Sequence, residues 1–246
     1  MLRGALHRFY RALEQRLVPG LQSSQHHYEK TLEDRVTRGV HWLDIGCGRR
    51  MLPEWRLTAE RELCARAGFL VGIDLDLPSL RDNTTVTAKC YCGVPDLPFH
   101  DSSFDLVTAN MVVEHLNDPA RAFAAVARVL RPGGKFIFHT PNAAAYPTTI
   151  AKLVPEVAKQ GLARLLDGRR ASDVFPTHYL ANTRVDIARV AELAGLAVEE
   201  MQLVSSSAVF AVVPPLALVE LIWLRRVQQA HRAEERSNLV VTLRRQ

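Results

Sequence analysis

Asp44-Ile45-Gly46-Cys47-Gly48 is the stretch in which residue type and spacing speak most directly of chemistry. Gly46 and Gly48 let the backbone turn sharply and let a ligand approach where a Cβ would clash. Asp44, two residues before the first glycine, would repel a pyrophosphate and suits an ammonium. Asp74 closes the next apolar run, where an acid can accept both hydroxyls of a ribose. Four further groups are candidate bases: Glu114, His115, His139 and His178. Tyr179 follows His178 in Phe175-Pro-Thr-His-Tyr179 and can join it at an acceptor. Each residue also has a purely structural alternative. Asp44 could satisfy turn amides, Asp74 could cap a helix, and His115 and His139 could simply be packed.

The elements that must position these residues follow from periodicity. Residues 41–46, 69–74, 88–92, 104–110 and 135–141 are short apolar runs, read as strands. Residues 51–67, with Pro53 in the first turn, and 119–130, capped by Asp118, read as helices between them. A helix over 184–195 closed by Gly195, a strand over 197–204 and a last strand over 238–243 complete the alternation. Continuous apolar strands alternating with helices predict an α/β fold with a mostly parallel sheet covered on both faces. Ligands in such sheets bind beyond the carboxyl ends of the strands. Two helices precede the sheet, an amphipathic one over 1–18 ending at Pro19-Gly20 and one over 24–38. Residues 143–183 and 206–237 are long, partly apolar excursions, the first with amphipathic helical stretches near 147–167. The expected organisation is one domain over 1–246, with N-terminal helices at 1–40, a cofactor-binding core at 41–142 and the two excursions on the substrate side.

The stretch 42–142 closely resembles the class I S-adenosylmethionine-dependent methyltransferases, in particular the type 11 group that includes the quinone-pathway methyltransferases. The resemblance rests on WLDIGCG (42–48), GIDLD (72–76), DLPFHDSSFDLVTAN (96–110), EHLNDP (114–119), RVLRPGGKFIFHTPN (128–142) and the later AELAGL (191–196). It implies a Rossmann-like sheet of seven strands, the last antiparallel and inserted beside the fifth, with helical cap insertions. It implies S-adenosyl-L-methionine as the cofactor. Asp44, Gly46, Cys47 and Gly48 would hold its methionine end, and Asp74 its ribose. Leu75, Gly93 and Val94 would lie against the adenine, and Asn110 with Met111 would line the sulfonium region. Glu114, His115 and His178 would serve the acceptor in catalysis, and His139 and Tyr179 would contact it. Arg50 stands where many members have a third glycine, and Gly93 where many have an acid. Met51 breaks the dinucleotide fingerprint, which disfavours a nicotinamide cofactor. Met111 takes the place of the second Glu of a metal motif found in some relatives, so no metal is expected.

The expected reaction is methyl transfer to a small or lipid-like apolar acceptor, most often at oxygen. Carbon or nitrogen methylation of a quinone or lipid head group is the alternative, as is a non-catalytic cofactor-binding regulator. The 246 residues can bury a full core without disulfides. Four cysteines without an apolar leader predict free thiols in a cytoplasmic protein, with Cys90 and Cys92 as buried strand residues. The net charge of +5 is uneven: residues 1–40 carry +3, 225–246 carry +4 and the middle −2. Basic ends beside apolar helices suit the cytoplasmic face of an anionic membrane, solubilising charge being the plain alternative. The stretch 208–224, broken by Pro214, Pro215 and Glu220, is too short to span one. A homodimer would equally cover the apolar excursions. No nucleic-acid partner is expected, because no basic stripe with interleaved aromatics crosses the body of the chain.

Overall fold

The computed structural model describes residues 2–153, 175–206 and 214–246. The strands are β1 (Val40–Ile45), β2 (Ala67–Asp74), β3 (Ala88–Tyr91), β4 (Phe104–Asn110), β5 (Leu130–Pro141), β6 (Leu196–Val204) and β7 (Asn238–Arg245). They form one sheet in the order β3-β2-β1-β4-β5-β7-β6. The pairs β1–β2, β2–β3, β1–β4 and β4–β5 are parallel. β7 sits between β5 and β6, and this end of the sheet is antiparallel, as the sequence implies. The chain builds β2 and β3 on one side of β1, then crosses to β4 on the other. The strand order therefore reverses at β1 and β4, where open α/β sheets bind ligands.

The helices are α1 (Leu2–Leu17), α2 (Ser24–Arg35), α3 (Leu57–Cys64), α4 (Leu77–Asp82), α5 (Pro119–Val129), α6 (Tyr146–Leu153), α7 (Arg184–Leu193) and α8 (Pro214–Val227). Their starts are chemically marked. The Asp118 carboxylate accepts the Arg121 N–H at 3.1 Å, and the Thr183 hydroxyl accepts that of Asp186 at 3.2 Å. Several boundaries differ from the sequence reading. The helix expected over 51–67 is only α3, preceded by a 3-10 turn at Glu54–Arg56. Its first residues are held elsewhere, because the N–H groups of Met51 and Leu52 donate to the Glu60 side chain. β5 begins at Leu130 rather than at Lys135. The Arg131-Pro-Gly-Gly134 turn is absorbed as a register shift between Phe104 and Leu106, with Gly133 at φ +78°. α4 has no counterpart in the sequence reading. Cys90 and Cys92 are half-buried rather than core residues, and Cys92 lies past the end of β3.

The chain packs as two compact units. One comprises Tyr28–Thr140, Thr177–Gln202 and Val240–Gln246. Its core is built from Trp42 and Leu43 of β1, Val107 of β4, and Phe136, Ile137 and Phe138 of β5, all almost fully buried. Phe123 of α5 packs edge-on to Phe136 and Phe138, with ring centroids 5.5 and 5.7 Å away. The other comprises the described parts of Met1–His27, Pro141–Pro176 and Leu203–Leu239. There Tyr10 of α1 and Val18, just past its end, pack with Ala217, Leu221 and Leu224 of α8. Of the helical stretch expected near 147–167, α6 is its described part. The remainder lies outside the described residues, as do positions 208–213 of the apolar stretch. No helix among the described residues is long and apolar enough to cross a membrane.

Phe123 is fully buried and joins α5 to the sheet. Phe123→Ala is expected to lower stability by about 3–5 kcal/mol in urea unfolding. A loss under about 1 kcal/mol would mean that α5 is not anchored through this ring.

Candidate functional site

The glycine turn is fixed from below by backbone and from the sides by three long-range side chains. Gly46 and Gly48 take positive φ, +69° and +47°. The N–H groups of Gly46 and Cys47 both donate to the Ile73 carbonyl, at 2.8 and 3.0 Å. A Cβ on Gly46 would stand 2.5 Å from Val112, so this position requires glycine for space as well as for conformation. Asp74 accepts the Gly48 N–H at 2.8 Å on one oxygen and the Asp76 N–H at 2.7 Å on the other. Asp74 is thus a turn ligand. The helix cap is Asp76, which accepts the Ser79 N–H of α4.

Asn83 donates to the carbonyls of Cys47 and Gly48 at 3.2 and 3.1 Å. Buried Glu60 accepts the Leu52 N–H at 3.0 Å and the Thr85 hydroxyl. Sequence reasoning missed both side chains. For Glu60 a signal existed, since it lies three residues from Leu57 and from Leu63, on the apolar side of α3. For Asn83 there was none.

Asp44 does not serve the turn amides. It is 3% exposed and accepts a hydrogen bond from the Thr108 hydroxyl of β4, its register partner. The Trp42 indole N–H donates to the same hydroxyl at 2.7 Å. Tyr28 of α2 also hydrogen-bonds with Thr108, and its ring stacks on His139 with centroids 5.8 Å apart. Burial pushes the Asp44 carboxyl up to about 8. The Thr108 bond opposes this, and the carboxylates of Glu60 and Asp74 reinforce it. Burial first, then the Asp44 charge, raise the Tyr28 phenol well above its ordinary value.

Beyond β4 the candidate residues fall into two groups. In the first, the Asn110 side-chain carbonyl lies 2.9 Å from His139 Nδ1, and its amide donates to the Met51 carbonyl at 3.2 Å. Met111, at φ +58°, donates its N–H to the His139 carbonyl at 2.8 Å. In the second, the buried Glu114 carboxylate accepts the Thr140 hydroxyl at 3.0 Å, and Thr140 accepts from Asn182 at 2.7 Å. The Glu114 backbone carbonyl accepts the N–H groups of His178 and Tyr179, at 2.7 and 3.1 Å. His115 Nε2 lies 3.9 Å from the Glu114 carboxylate. The backbone of His178 and Tyr179 is therefore tied to that of Glu114, although the two segments are far apart in the chain. His139 belongs with Asn110 and Tyr28. Met111 and Tyr179, both at left-handed φ, mark the two groups as places of held backbone strain.

Leu75 is 61% exposed at the end of β2, and its methyls lie 3.6–3.8 Å from where a Gly93 Cβ would stand. Val94, buried, opens a 3-10 turn just beyond. Together they offer an apolar shelf beside Asp74. Among the described residues no three His, Cys, Asp or Glu side chains converge as metal ligands. Cys90 and Cys92 are free thiols 3.7 Å apart, and burial pushes Cys92 up to about 12.

The folded state holds a proton on Asp44 that the unfolded chain releases, between about pH 4 and the pKa of about 8. More protons bound in the folded state mean that stability falls as pH rises through this window. Asp44→Asn is expected to flatten that decline in urea midpoints measured from pH 5 to 8.5. An unchanged slope would remove Asp44 as its source.

Comparison with known proteins bears on what these residues hold. A family model described as a methyltransferase domain matches residues 43–138. The chain is 30% identical over 178 residues to the ubiquinone biosynthesis O-methyltransferase of Thiobacillus denitrificans, covering 66% of this chain and 67% of that protein. It is 28% identical over 130 residues to the demethylmenaquinone methyltransferase of Lactiplantibacillus plantarum, covering 49% of this chain and about half of the relative, 53%. The S-adenosylmethionine-dependent methyltransferase structure from Mesorhizobium loti superposes with a TM-score of 0.55 at 20% identity, covering 91% and 98% of the two chains.

Proposed function

The chain belongs to the class I S-adenosylmethionine-dependent methyltransferases of the type 11 group, and we propose that it methylates an oxygen of a small or lipid-like apolar acceptor. The residues present fit the cofactor. Asp44 is a buried acid with no cation beside it among the described residues, suited to the ammonium of the methionine end. Asp74 is already oriented by two backbone N–H groups and keeps lone pairs for ribose hydroxyls. The Leu75–Gly93–Val94 shelf suits adenine, and Gly93 leaves it flat. Arg50 is turned toward Glu54, at 3.9 Å, and so does not fill the turn as a third glycine's substitute.

When bound, S-adenosylmethionine supplies a methyl group on a sulfonium, which needs only an aligned nucleophile and the exclusion of water. An oxygen nucleophile must also lose a proton, and the observation that carries the reading is the backbone tie that brings the His178 segment to Glu114-His115. Glu114 holds His178 and Tyr179 through its backbone carbonyl, and Thr140 with Asn182 holds Glu114. In this scheme His178 or His115 takes the acceptor proton, and Tyr179 contacts the acceptor. His139 and Asn110 form the wall beside the sulfonium. Relatives named for ubiquinone biosynthesis and for demethylmenaquinone methylation support a quinone-like acceptor. We place that acceptor at a membrane surface. The apolar α8 and the arginines at both ends of the chain support this.

Isothermal titration is expected to show S-adenosylmethionine binding that weakens at least about tenfold in Asp74→Ala, the loss of charge-assisted hydrogen bonds. With a panel of phenolic and isoprenoid acceptors and labelled cofactor, His178→Ala is expected to lower kcat about 100-fold while cofactor Kd stays the same. Absence of cofactor binding in folded protein would contradict the assignment. Methyl transfer to carbon or nitrogen acceptors, insensitive to His178→Ala, would replace the oxygen reading.

A further inference from the structure

Helix α8 presents an unusual distribution of charge. Its buried side carries Ala217, Glu220, Leu221, Leu224 and Val227. Its exposed side carries Leu218, Val219 and Ile222, then Arg225 and Arg226 in the last turn. Val219 is 65% exposed and Ile222 46%. The helix has a single acid, Glu220, and that acid is turned inward, where it accepts the Tyr146 hydroxyl. The outer side is therefore apolar and cationic, with no carboxylate. α1, which packs on α8 through Tyr10, repeats the pattern. It exposes Phe9, Arg11 and Arg16, and its acid Glu14 accepts the Tyr10 hydroxyl at 2.8 Å.

We infer that the exposed side of α8 is a docking face for an anionic membrane surface, with Leu218, Val219 and Ile222 entering the interface and Arg225 and Arg226 meeting lipid phosphates. The inference rests on the membrane-side acceptor proposed above and names the surface that would hold the chain to the membrane. Three arguments select this occupant. A 14-residue helix is about 21 Å long, too short to span the roughly 30 Å hydrocarbon core yet ample to lie in its surface. Arginines beside an exposed apolar row, without an acid among them, complement anionic head groups. A second copy docked by two-fold symmetry would set this acid-free face against itself and leave its arginines without counter-charges. Burying Glu220 against Tyr146 is what keeps the face cationic.

The test is co-sedimentation of the full chain, at low salt, with vesicles of phosphatidylcholine alone and with an equal mixture of phosphatidylcholine and phosphatidylglycerol. Cofactor titration on the same samples reports the methyltransferase site separately, so failure of one reading does not mask the other. Sedimentation with the mixed vesicles and not with the neutral ones is expected. Arg225→Ala and Arg226→Ala should each weaken it about fivefold. Ile222→Glu should abolish it, with cofactor affinity unchanged in each variant. Absence of vesicle binding by cofactor-competent protein would overturn the inference. So would equal binding to both vesicle types, or binding that ignores these substitutions. A dimer in light scattering that Ile222→Glu dissociates would give the face to a second copy. Binding to polyglutamate without binding to vesicles would give it to an acidic protein.

Discussion

A carboxylate buried beneath a glycine turn is the constraint around which the cofactor side of this protein is arranged. Asp44 sits at the end of the central strand, where the strand order reverses, and almost no solvent reaches it. A buried carboxyl without a partner is costly, so the neighbouring strand supplies Thr108. Thr108 is in turn held by Trp42 from the same strand as Asp44 and by Tyr28 from the helix that precedes the sheet. A short polar chain thus runs through the core from Tyr28 and Trp42 to Asp44.

Two more carboxylates surround the same turn. Asp74 holds Gly48, and Glu60 holds Met51 and Leu52. Their charges add to the burial that keeps Asp44 protonated. Three acids around two glycines suit a cation, and in the proposed reading the ammonium of S-adenosylmethionine would supply it. The acceptor side follows another logic. In the proposed reading its groups come from distant segments, and Glu114 holds the backbone of His178 and Tyr179 through one carbonyl rather than through its charge.

The sheet and the turn were legible because they depend on local signals. Apolar runs of strand length, two glycines and an acid at a strand end all lie within a few residues of one another. Asp118 and Thr183, each before a helical run, behave as local caps. The side chains that fix the turn were not legible, because their partners are far away in sequence. Asn83 reaches back to Cys47, and Thr108 to Asp44. The roles of Asp74 and Asp76 could not be separated by spacing either, since both acids stand where a turn ligand or a cap could be. The length of α3 was overread for a similar reason: a helical pattern does not reveal that Glu60 withholds the amides of residues 51 and 52.

Proton release on cofactor binding shows whether a protonated Asp44 receives the cationic cofactor. Titrating S-adenosylmethionine at pH 7 in buffers of different ionisation enthalpy counts the protons exchanged. With the Asp44 carboxyl at about 8, release of close to one proton per cofactor bound is expected, and none in Asp44→Asn. Binding with no proton release in the unsubstituted protein would contradict that role for Asp44.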